Sequence, residues 1–209
     1  MLNKQEGVIK YQCHWDKKPI NILSTEELEK FNYWRNSLVE RGVIGVDVTG
    51  VGFGNISIRI SNRKEFIITG SQTGHLKRLS HNDLSLVTEY SITGNFVRCS
   101  GLSKASSEAL THAAIYNHSP QYGSVIHIHS HRIWKLAKET YPVTNPTAEY
   151  GTSELALSVE MTKKKIDDNK SEHLAPIIIL GGHPDGIIIF ETNLDLAGSE
   201  TIKLIDSYR

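Results

Sequence analysis

The amino-acid sequence predicts an α/β protein in which helices cover a mixed or mainly antiparallel sheet. Apolar residues recur at helical spacing in some segments and alternate at strand spacing in others, and the two kinds of segment follow one another irregularly. At least two connections between strands have the character of hairpins. A doubly wound parallel sheet is disfavoured, because its strands alternate regularly with crossover helices.

The length and composition predict a single domain. The 209 residues, of which 39% are hydrophobic, are sufficient for one well-packed core. No repeat, proline-rich linker or low-complexity tract divides the chain. We therefore expect one domain over residues 1–209, in which residues 1–23 are an N-terminal extension without an assigned role.

The first helix is predicted between Ser24 and Gly42. The segment Ser24-Thr25-Glu26-Glu27 has the pattern of a capping box. Four apolar residues then recur at helical spacing, and these are Leu28, Phe31, Trp34 and Leu38. Such a stripe is typical of a helix face that packs into a core, so it is assigned no ligand-binding role.

The following segments predict strands and a second helix. Residues 56–60 alternate apolar and polar side chains, and the apolar residues 66–68 follow a polar turn at Asn62, which predicts a hairpin. A short strand is expected at residues 96–99. Residues 106–116 begin with serines and an acid, which favour the positive end of a helix, and a proline follows closely.

The second half of the chain predicts further strands and helices. In the strand at residues 124–129, the two histidines lie on one face, whereas Ile126 and Ile128 point to the other. Two apolar strands at 177–180 and 187–190 flank a turn-rich segment. Helices are expected at residues 130–138, 152–165 and 194–205.

Charge and cysteine content exclude several classes of function. Lys and Arg total 23, as do Asp and Glu, so the formal net charge is zero. A chain without a basic excess is poorly suited to binding nucleic acid or an anionic membrane, and we expect neither partner. Cys13 and Cys99 are widely separated in the sequence, so neither a disulfide framework nor a cysteine zinc site is expected. No segment has the pattern of a signal peptide or a membrane span, which predicts a cytoplasmic protein.

The segment His127-Ile128-His129 is the best candidate for a metal site. Alternation along a strand places both imidazoles on one face, with their backbones roughly 7 Å apart, close enough to share a divalent ion. His183 is the best candidate for a third ligand, because it lies in a glycine-rich turn between two apolar strands. The alternative is that the pair decorates a solvent-facing strand. His131 is assigned to a helix end or a supporting position.

Two further motifs have both a functional and a structural interpretation. Ser106-Ser107-Glu108 at a predicted helix start forms a natural phosphate cradle, or else simply caps the helix. Glu108 either balances the helix dipole or carries a proton. The glycine-rich segments 50–57 and 69–74 are not a dinucleotide fingerprint, because a strand follows where a helix is required. They bind a phosphate through backbone amides or are ordinary turns.

Six short segments occur in a defined order along the chain. They are Gly54-Asn55-Ile56-Ser57, Thr69-Gly70, Ser106-Ser107-Glu108, His127-Ile128-His129, Tyr150-Gly151-Thr152 with Glu154-Leu155-Ala156, and His183. In this order and at these separations, from about Leu28 to Ile205, they resemble the class II aldolase/adducin family. The resemblance implies a three-layer α/β/α domain with a mainly antiparallel central sheet. It also implies a homotetramer with active sites between subunits.

The resemblance further implies a role for each matching residue. His127, His129 and His183 correspond to the family's three zinc ligands, although an all-histidine set would also accept Mn²⁺, Fe²⁺ or Co²⁺. Glu108 corresponds to the acid/base, and Tyr208 to a tyrosine near the carboxyl terminus that donates a proton in some aldolases of the family. The residues that correspond to binders of the substrate phosphate are Asn55, Thr69, Gly70, Ser106 and Ser107.

Two departures from the family pattern affect the expected function. The third histidine stands in Gly182-His183-Pro184 rather than Asn-His-Gly, and Glu108 favours the aldolase-like branch over the epimerase-like branch, which tends to carry Asp. The expected function is a metal-dependent lyase that cleaves or forms a C–C bond in a phosphorylated hydroxy-ketone through a zinc-stabilised enediolate. The alternatives are a sugar-phosphate epimerase, dehydratase or decarboxylase, or a non-catalytic interaction module as in adducin.

Overall fold

The computed structural model describes residues 7–60, 64–168 and 175–209. Its strands are β1 (Gln12–Asp16), β2 (Gly45–Val46), β3 (Gly52–Phe53), β4 (Asn55–Arg59), β5 (Phe66–Thr69), β6 (Leu84–Ser91), β7 (Phe96–Ser100), β8 (Ser124–His129), β9 (Ile177–Ile179) and β10 (Gly186–Glu191). Its α-helices are α1 (Thr25–Glu40), α2 (Ala109–Tyr116), α3 (His131–Ala137), α4 (Ser153–Asp168) and α5 (Leu194–Ser207). A short 3₁₀ helix spans His81–Asp83.

Eight strands form one mixed sheet in the order β1-β7-β6-β5-β4-β8-β10-β9, and β2 and β3 form a separate ribbon. The strands from β7 to β9 in this order pair antiparallel with their neighbours, whereas β1 pairs in parallel with β7. The expectation of a mainly antiparallel sheet is therefore corrected to a mixed sheet. No local pattern indicates the parallel pair, because it joins two segments that are distant in the sequence.

Each face of the sheet has its own hydrophobic core. The alternation of β8 contributes to both, because Val125 belongs to one core and Ile126 and Ile128 belong to the other. Buried residues of α2 and α4 pack in the first core. Buried residues of α1, α3 and α5 pack in the second. Helices thus contribute to both cores.

Helix α1 begins and ends where the sequence predicts. The Ser24 hydroxyl accepts a hydrogen bond from the backbone N–H of Glu27 at 3.2 Å, and the Glu27 carboxylate accepts one from the backbone N–H of Ser24 at 2.7 Å. The predicted apolar stripe faces inward, since Phe31 and Leu38 are fully buried. Gly42 follows the last turn with a φ of +71°, a left-handed conformation that glycine adopts without strain.

Other elements differ from the prediction. Helix α2 begins at Ala109 with Glu108 as its N-cap, so the predicted start at Ser106 is wrong. Strands β1 and β6 were not predicted, and β1 is an edge strand in which exposed polar residues alternate with half-buried ones. The predicted turn at Asn62 lies outside the described residues, but the strands that it joins, β4 and β5, pair antiparallel as expected.

The parallel pairing of β1 and β7 also brings the two cysteines together. Cys13 and Cys99 are free thiols, and their Sγ atoms lie 4.0 Å apart. Sequence separation therefore says little about their distance in space. Within the described ranges, no helix is both long enough and apolar enough to cross a membrane.

Candidate metal centre

Strand β8 presents two histidines on one side of the sheet. It lies between β4 and β10, and His127 is in register with Asn55 on one neighbour and with Ile188 on the other. The alternation of the strand places His127 and His129 on the same face, as predicted. His127 is buried and His129 is half-buried, so the pair does not decorate a solvent-facing surface.

His183 reaches the same point from the turn between β9 and β10. The backbone N–H of His183 donates to Leu180 O, and the backbone N–H of Gly186 donates to His183 O, which closes the turn. Gly186 is in register with His129, so the turn lies beside β8. A Cβ atom at Gly186 would lie only 2.6 Å from His183 Cδ2, and this close approach requires glycine.

The three imidazoles converge through their Nε2 atoms. His127 Nε2 lies 3.0 Å from His129 Nε2 and 3.3 Å from His183 Nε2. One potential ligand atom from each histidine lies within 4.8 Å of the others. Nitrogens bound tetrahedrally at about 2.0–2.1 Å from one ion are roughly 3.3 Å apart, so this spacing fits a single metal ion.

The protonation state of the three rings also fits a metal. Burial lowers the pKa of His127 to about 4. Burial likewise holds the pKa values of His129 and His183 well below the ordinary value, and the neighbouring imidazoles act in the same direction. The rings are therefore neutral near pH 7, which is the form that binds metal.

The tautomer of His127 follows from its hydrogen bond. Its Nδ1 lies 3.1 Å from the backbone carbonyl oxygen of Ile187, which only accepts, so Nδ1 carries the hydrogen. The lone pair is then on Nε2, where the other two rings meet. A backbone carbonyl that orients a metal-binding imidazole in this way is a common feature of metal sites.

Glu108 brings a carboxylate to the same centre. It is 3% exposed, and its Oε1 lies 3.9 Å from His183 Nε2. As the N-cap of α2, it precedes the first helical turn instead of lying within it, and its backbone N–H donates to Ser106 Oγ at 3.3 Å. The carboxylate thus lies at the edge of the histidine cluster.

The residues predicted to bind phosphate line a small cavity next to the three histidines. The cavity has a volume of about 40 Å³. The Asn55 Oδ1 atom is buried in it without a hydrogen-bond partner among the described residues, so an acceptor there is available to a ligand. The Thr69 hydroxyl instead accepts a hydrogen bond from the backbone N–H of Ile56 at 3.4 Å. The predicted residues that line the cavity are Asn55, Thr69, Gly70, Ser106, Ser107, Glu108, His127, His129 and His183.

A wider cavity of about 950 Å³ shares part of this lining. The residues that contribute to both cavities are Phe53, His129, Tyr150 and His183, so two of the three candidate ligands lie where the cavities meet. His131 is at the rim of the wider cavity, where its Nδ1 lies 2.7 Å from Asp185 Oδ1. His131 is the first residue of α3, at the helix end to which it was assigned as one alternative.

Tyr150 and the N-terminal segment were not predicted as parts of the site. The Tyr150 ring lies 5.1 Å from the ring of His183, and its hydroxyl exchanges hydrogen bonds with the backbone N–H and carbonyl of Val8. The Tyr11 hydroxyl lies 2.9 Å from Ser106 O, to which it donates. The motif beginning at Tyr150 was a usable signal, whereas no pattern indicates the contacts of residues 8–11.

Tyr208 does not join the other predicted residues. It follows α5, and its hydroxyl lies 3.3 Å from Thr140 Oγ1. It is not among the residues that line either cavity. Within one chain, the predicted role of Tyr208 in proton donation therefore has no support from its position.

Comparison with known proteins decides the family. Residues 43–206 match the model of the class II aldolase and adducin N-terminal domain. The chain belongs to the class II aldolase and adducin family. The match begins after α1, so β1 and α1 lie outside the residues that match the family model.

Solved structures of similar fold include several sugar-phosphate aldolases. An L-fuculose 1-phosphate aldolase is 22% identical, with a TM-score of 0.64, and the match covers 90% of this chain and 86% of that one. The L-fuculose-1-phosphate aldolase of Thermus thermophilus is 21% identical, with a TM-score of 0.63 and coverages of 89% and 93%. A sugar-phosphate aldolase of Thermotoga maritima is 16% identical, with a TM-score of 0.59 and coverages of 88% and 92%. At these identities the likeness establishes the fold.

Proposed function

We propose that this class II aldolase family member is a metal-dependent lyase that cleaves or forms a C–C bond in a phosphorylated hydroxy-ketone. The observation that carries the proposal is the meeting of three neutral imidazoles at a spacing that fits one ion, with a carboxylate 3.9 Å from His183 Nε2. Family membership and the aldolases of similar fold support it. The proposed metal is zinc, which suits three nitrogen ligands and an open fourth position.

The residues around the centre divide the work of such a reaction. His127, His129 and His183 would hold the ion. The bound ion would act as a Lewis acid that stabilises negative charge developing on substrate oxygens. Glu108 would take and return the proton on the carbon next to the carbonyl, because its carboxylate lies at the edge of the centre and is shielded from water.

The small cavity would hold the phosphate end of the substrate. Ser106 and Ser107 offer hydroxyl groups, Asn55 offers its side-chain amide, and the segment Thr69-Gly70 contributes its backbone. Contacts far from the reacting carbon orient it, and part of the rate enhancement comes from this positioning. A net charge of zero is compatible with such a ligand, since hydroxyls, amides and one ion suffice to bind a small anion.

Metal analysis tests the core of the proposal. The purified protein should contain about one equivalent of a divalent metal, and a His127→Ala/His129→Ala variant should lose it. Unchanged occupancy in that variant would contradict the ligand assignment. A protein that binds no metal and no phosphorylated ketose would favour the non-catalytic, adducin-like alternative.

The role of Glu108 has a separate test. Glu108→Gln keeps the size of the side chain but removes the base, so metal content should remain while proton exchange in dihydroxyacetone phosphate is abolished. Undiminished exchange would refute this role. A screen of phosphorylated ketoses and sugar acids then separates lyase activity from epimerase, dehydratase and decarboxylase activity.

The proposal includes an oligomeric state and a place for Tyr208 in it. We propose a cytoplasmic homotetramer built from the single domain, in which the two groups of helices on either side of the sheet form a three-layer arrangement. Tyr208 would then serve the active site of a neighbouring subunit, because it lies outside the cavities of its own chain. Light scattering measures the assembly. A monomeric, fully active protein would exclude this role for Tyr208.

A further inference from the structure

Helix α1 carries a buried arginine that contacts the lining of the small cavity. Arg35 is 2% exposed, and its guanidinium donates from Nη2 to the backbone carbonyl oxygens of Thr73 and Gly74, each at 3.1 Å. Its Nη1 lies 3.5 Å from Asn36 Oδ1. Helix α1 ends before residue 43, where the family match begins, so the match does not include Arg35.

In the part of the chain that the structure describes, the charge of Arg35 is not balanced by an ion pair. Among the described residues, no carboxylate oxygen lies within 4.0 Å of its guanidinium, and Asp83 influences it only from a greater distance. The Asp83 carboxylate instead accepts hydrogen bonds from the backbone and the hydroxyl of Ser80. A guanidinium remains charged even when burial lowers its pKa. A buried cation with only carbonyl partners is costly unless an anion is nearby.

The glycine loop, residues 70–74, lies between this charge and the small cavity. All five of its residues line the cavity. The loop is held from several sides, since the Thr73 hydroxyl donates to Gly70 O at 2.8 Å and the backbone N–H of Ser71 donates to Lys104 O at 2.8 Å. Gly74 packs so tightly that a Cβ atom would lie 2.1 Å from Gly45 O. The loop therefore has little freedom to change its shape.

The hydrogen bonds of Arg35 also orient the peptide groups of the loop. A trans peptide carries its C=O and its N–H on opposite sides, and the described chain contains no cis peptide bond. Because the Thr73 carbonyl points to Arg35, the N–H of Gly74 points away from it. The peptide dipole and the guanidinium thus act in the same direction, and both favour negative charge beyond the loop.

We propose that Arg35 is a positioning residue that makes the glycine loop a site for a phosphoryl dianion. The guanidinium holds the loop from the side opposite the cavity, and the bound dianion supplies counter-charge that no direct ion pair in the described part of the chain provides. This inference rests on the phosphate-binding part of the proposed function. The inference adds Arg35, which lies outside the small cavity and acts on the bound phosphate through the backbone of the glycine loop.

The test measures binding of inorganic phosphate to the metal-loaded protein by titration calorimetry. Arg35→Met removes the charge but keeps much of the stem, and phosphate should bind about tenfold more weakly or worse. Lys30→Met is the matched control, because it removes one exposed positive charge from the same helix, and its phosphate affinity should equal that of the wild type. If folded, metal-loaded Arg35→Met bound phosphate with the affinity of the wild type, the inference would be overturned.

A second variant covers the case in which Arg35→Met does not fold. Arg35→Lys keeps the positive charge but replaces the planar guanidinium by a single ammonium group. Its phosphate affinity should therefore lie between those of the wild type and a variant without the charge. A folded Arg35→Lys protein with wild-type affinity and wild-type salt dependence would also count against the positioning role.

Turnover separates this inference from the proposed function. If the protein is a lyase, an Arg35 variant should raise KM for a phosphorylated ketose while leaving the KM for the unphosphorylated ketose unchanged. A merely structural defect would affect both substrates. Phosphate binding that depends on Arg35 in a protein without lyase activity would refute the lyase proposal alone. Lyase activity with Arg35-independent phosphate affinity would refute only the inference about Arg35.

Discussion

Burial of neutral histidines makes the metal-free protein sensitive to acid. Burial lowers the pKa of His127 from 6.5 to about 4. Between these two values the unfolded chain binds a proton that the folded chain does not, so the free energy of unfolding falls as the pH falls below about 6.5. pH 5 lies about 1.5 units below the pKa of histidine in the unfolded chain. At this pH, His127 alone lowers the free energy of unfolding by about 2 kcal/mol.

Replacement of His127 by asparagine tests this magnitude. His127→Asn removes the titrating group, so between pH 7 and pH 5 the metal-free variant should lose about 2 kcal/mol less stability than the wild type. Urea unfolding at the two pH values, after treatment with a chelator, measures the difference. Three other histidines have lowered pKa values and should keep a residual pH dependence in the same direction, and these are His112, His129 and His183.

The matched control is His118→Asn. His118 is exposed and has a φ of +55°, a conformation that asparagine also adopts readily. The variant retains His127 and the other histidines with lowered pKa values, so it should follow the wild-type pH dependence. Identical pH dependence of the wild type and His127→Asn would refute the reasoning that burial keeps this imidazole neutral.

Three further predictions concern residues around the site and the first helix. Gly186→Ala should weaken metal binding about tenfold or more, because its Cβ would displace His183, and a metal titration measures this. Tyr150→Phe should lower the free energy of unfolding by about 1–2 kcal/mol, since it breaks the hydrogen bonds to Val8, yet metal content should persist. Ser24→Ala should cost about 1 kcal/mol in urea unfolding and leave the metal affinity unchanged, because it removes only a helix cap. Unchanged metal affinity in Gly186→Ala would contradict the first prediction. An unchanged free energy of unfolding in Tyr150→Phe or Ser24→Ala would contradict the second or the third.

The grouping of the candidate metal ligands was predictable only where it depends on local geometry. Strand alternation alone places His127 and His129 on one face, and the glycine-rich turn leaves His183 without a packing role of its own. The exact start of α2 was not predictable, because several residues in Ser106-Ser107-Glu108 are able to cap a helix. The structure selects Glu108 as the cap and thereby places its carboxylate beside His183.

The parts of the site that were missed depend on contacts between distant segments. Tyr11 reaches Ser106, and Arg35 reaches the glycine loop, although neither residue belongs to a recognisable motif. An arginine in an amphipathic helix is usually solvated, so its burial behind a loop has no signature in the sequence. Such residues become visible only when the surfaces that they join are known.

The sequence by itself determined the type and approximate position of most elements, the cap of α1 and the candidate ligands. These follow from steric preferences of the backbone within a few residues, which any stretch of chain expresses wherever it lies. Only the tertiary structure decided the parallel edge strand β1, the convergence of the three Nε2 atoms and the burial that keeps the imidazoles neutral. Strand pairing between distant segments is selected by the packing of the whole chain, and a pKa depends on the water that this packing excludes.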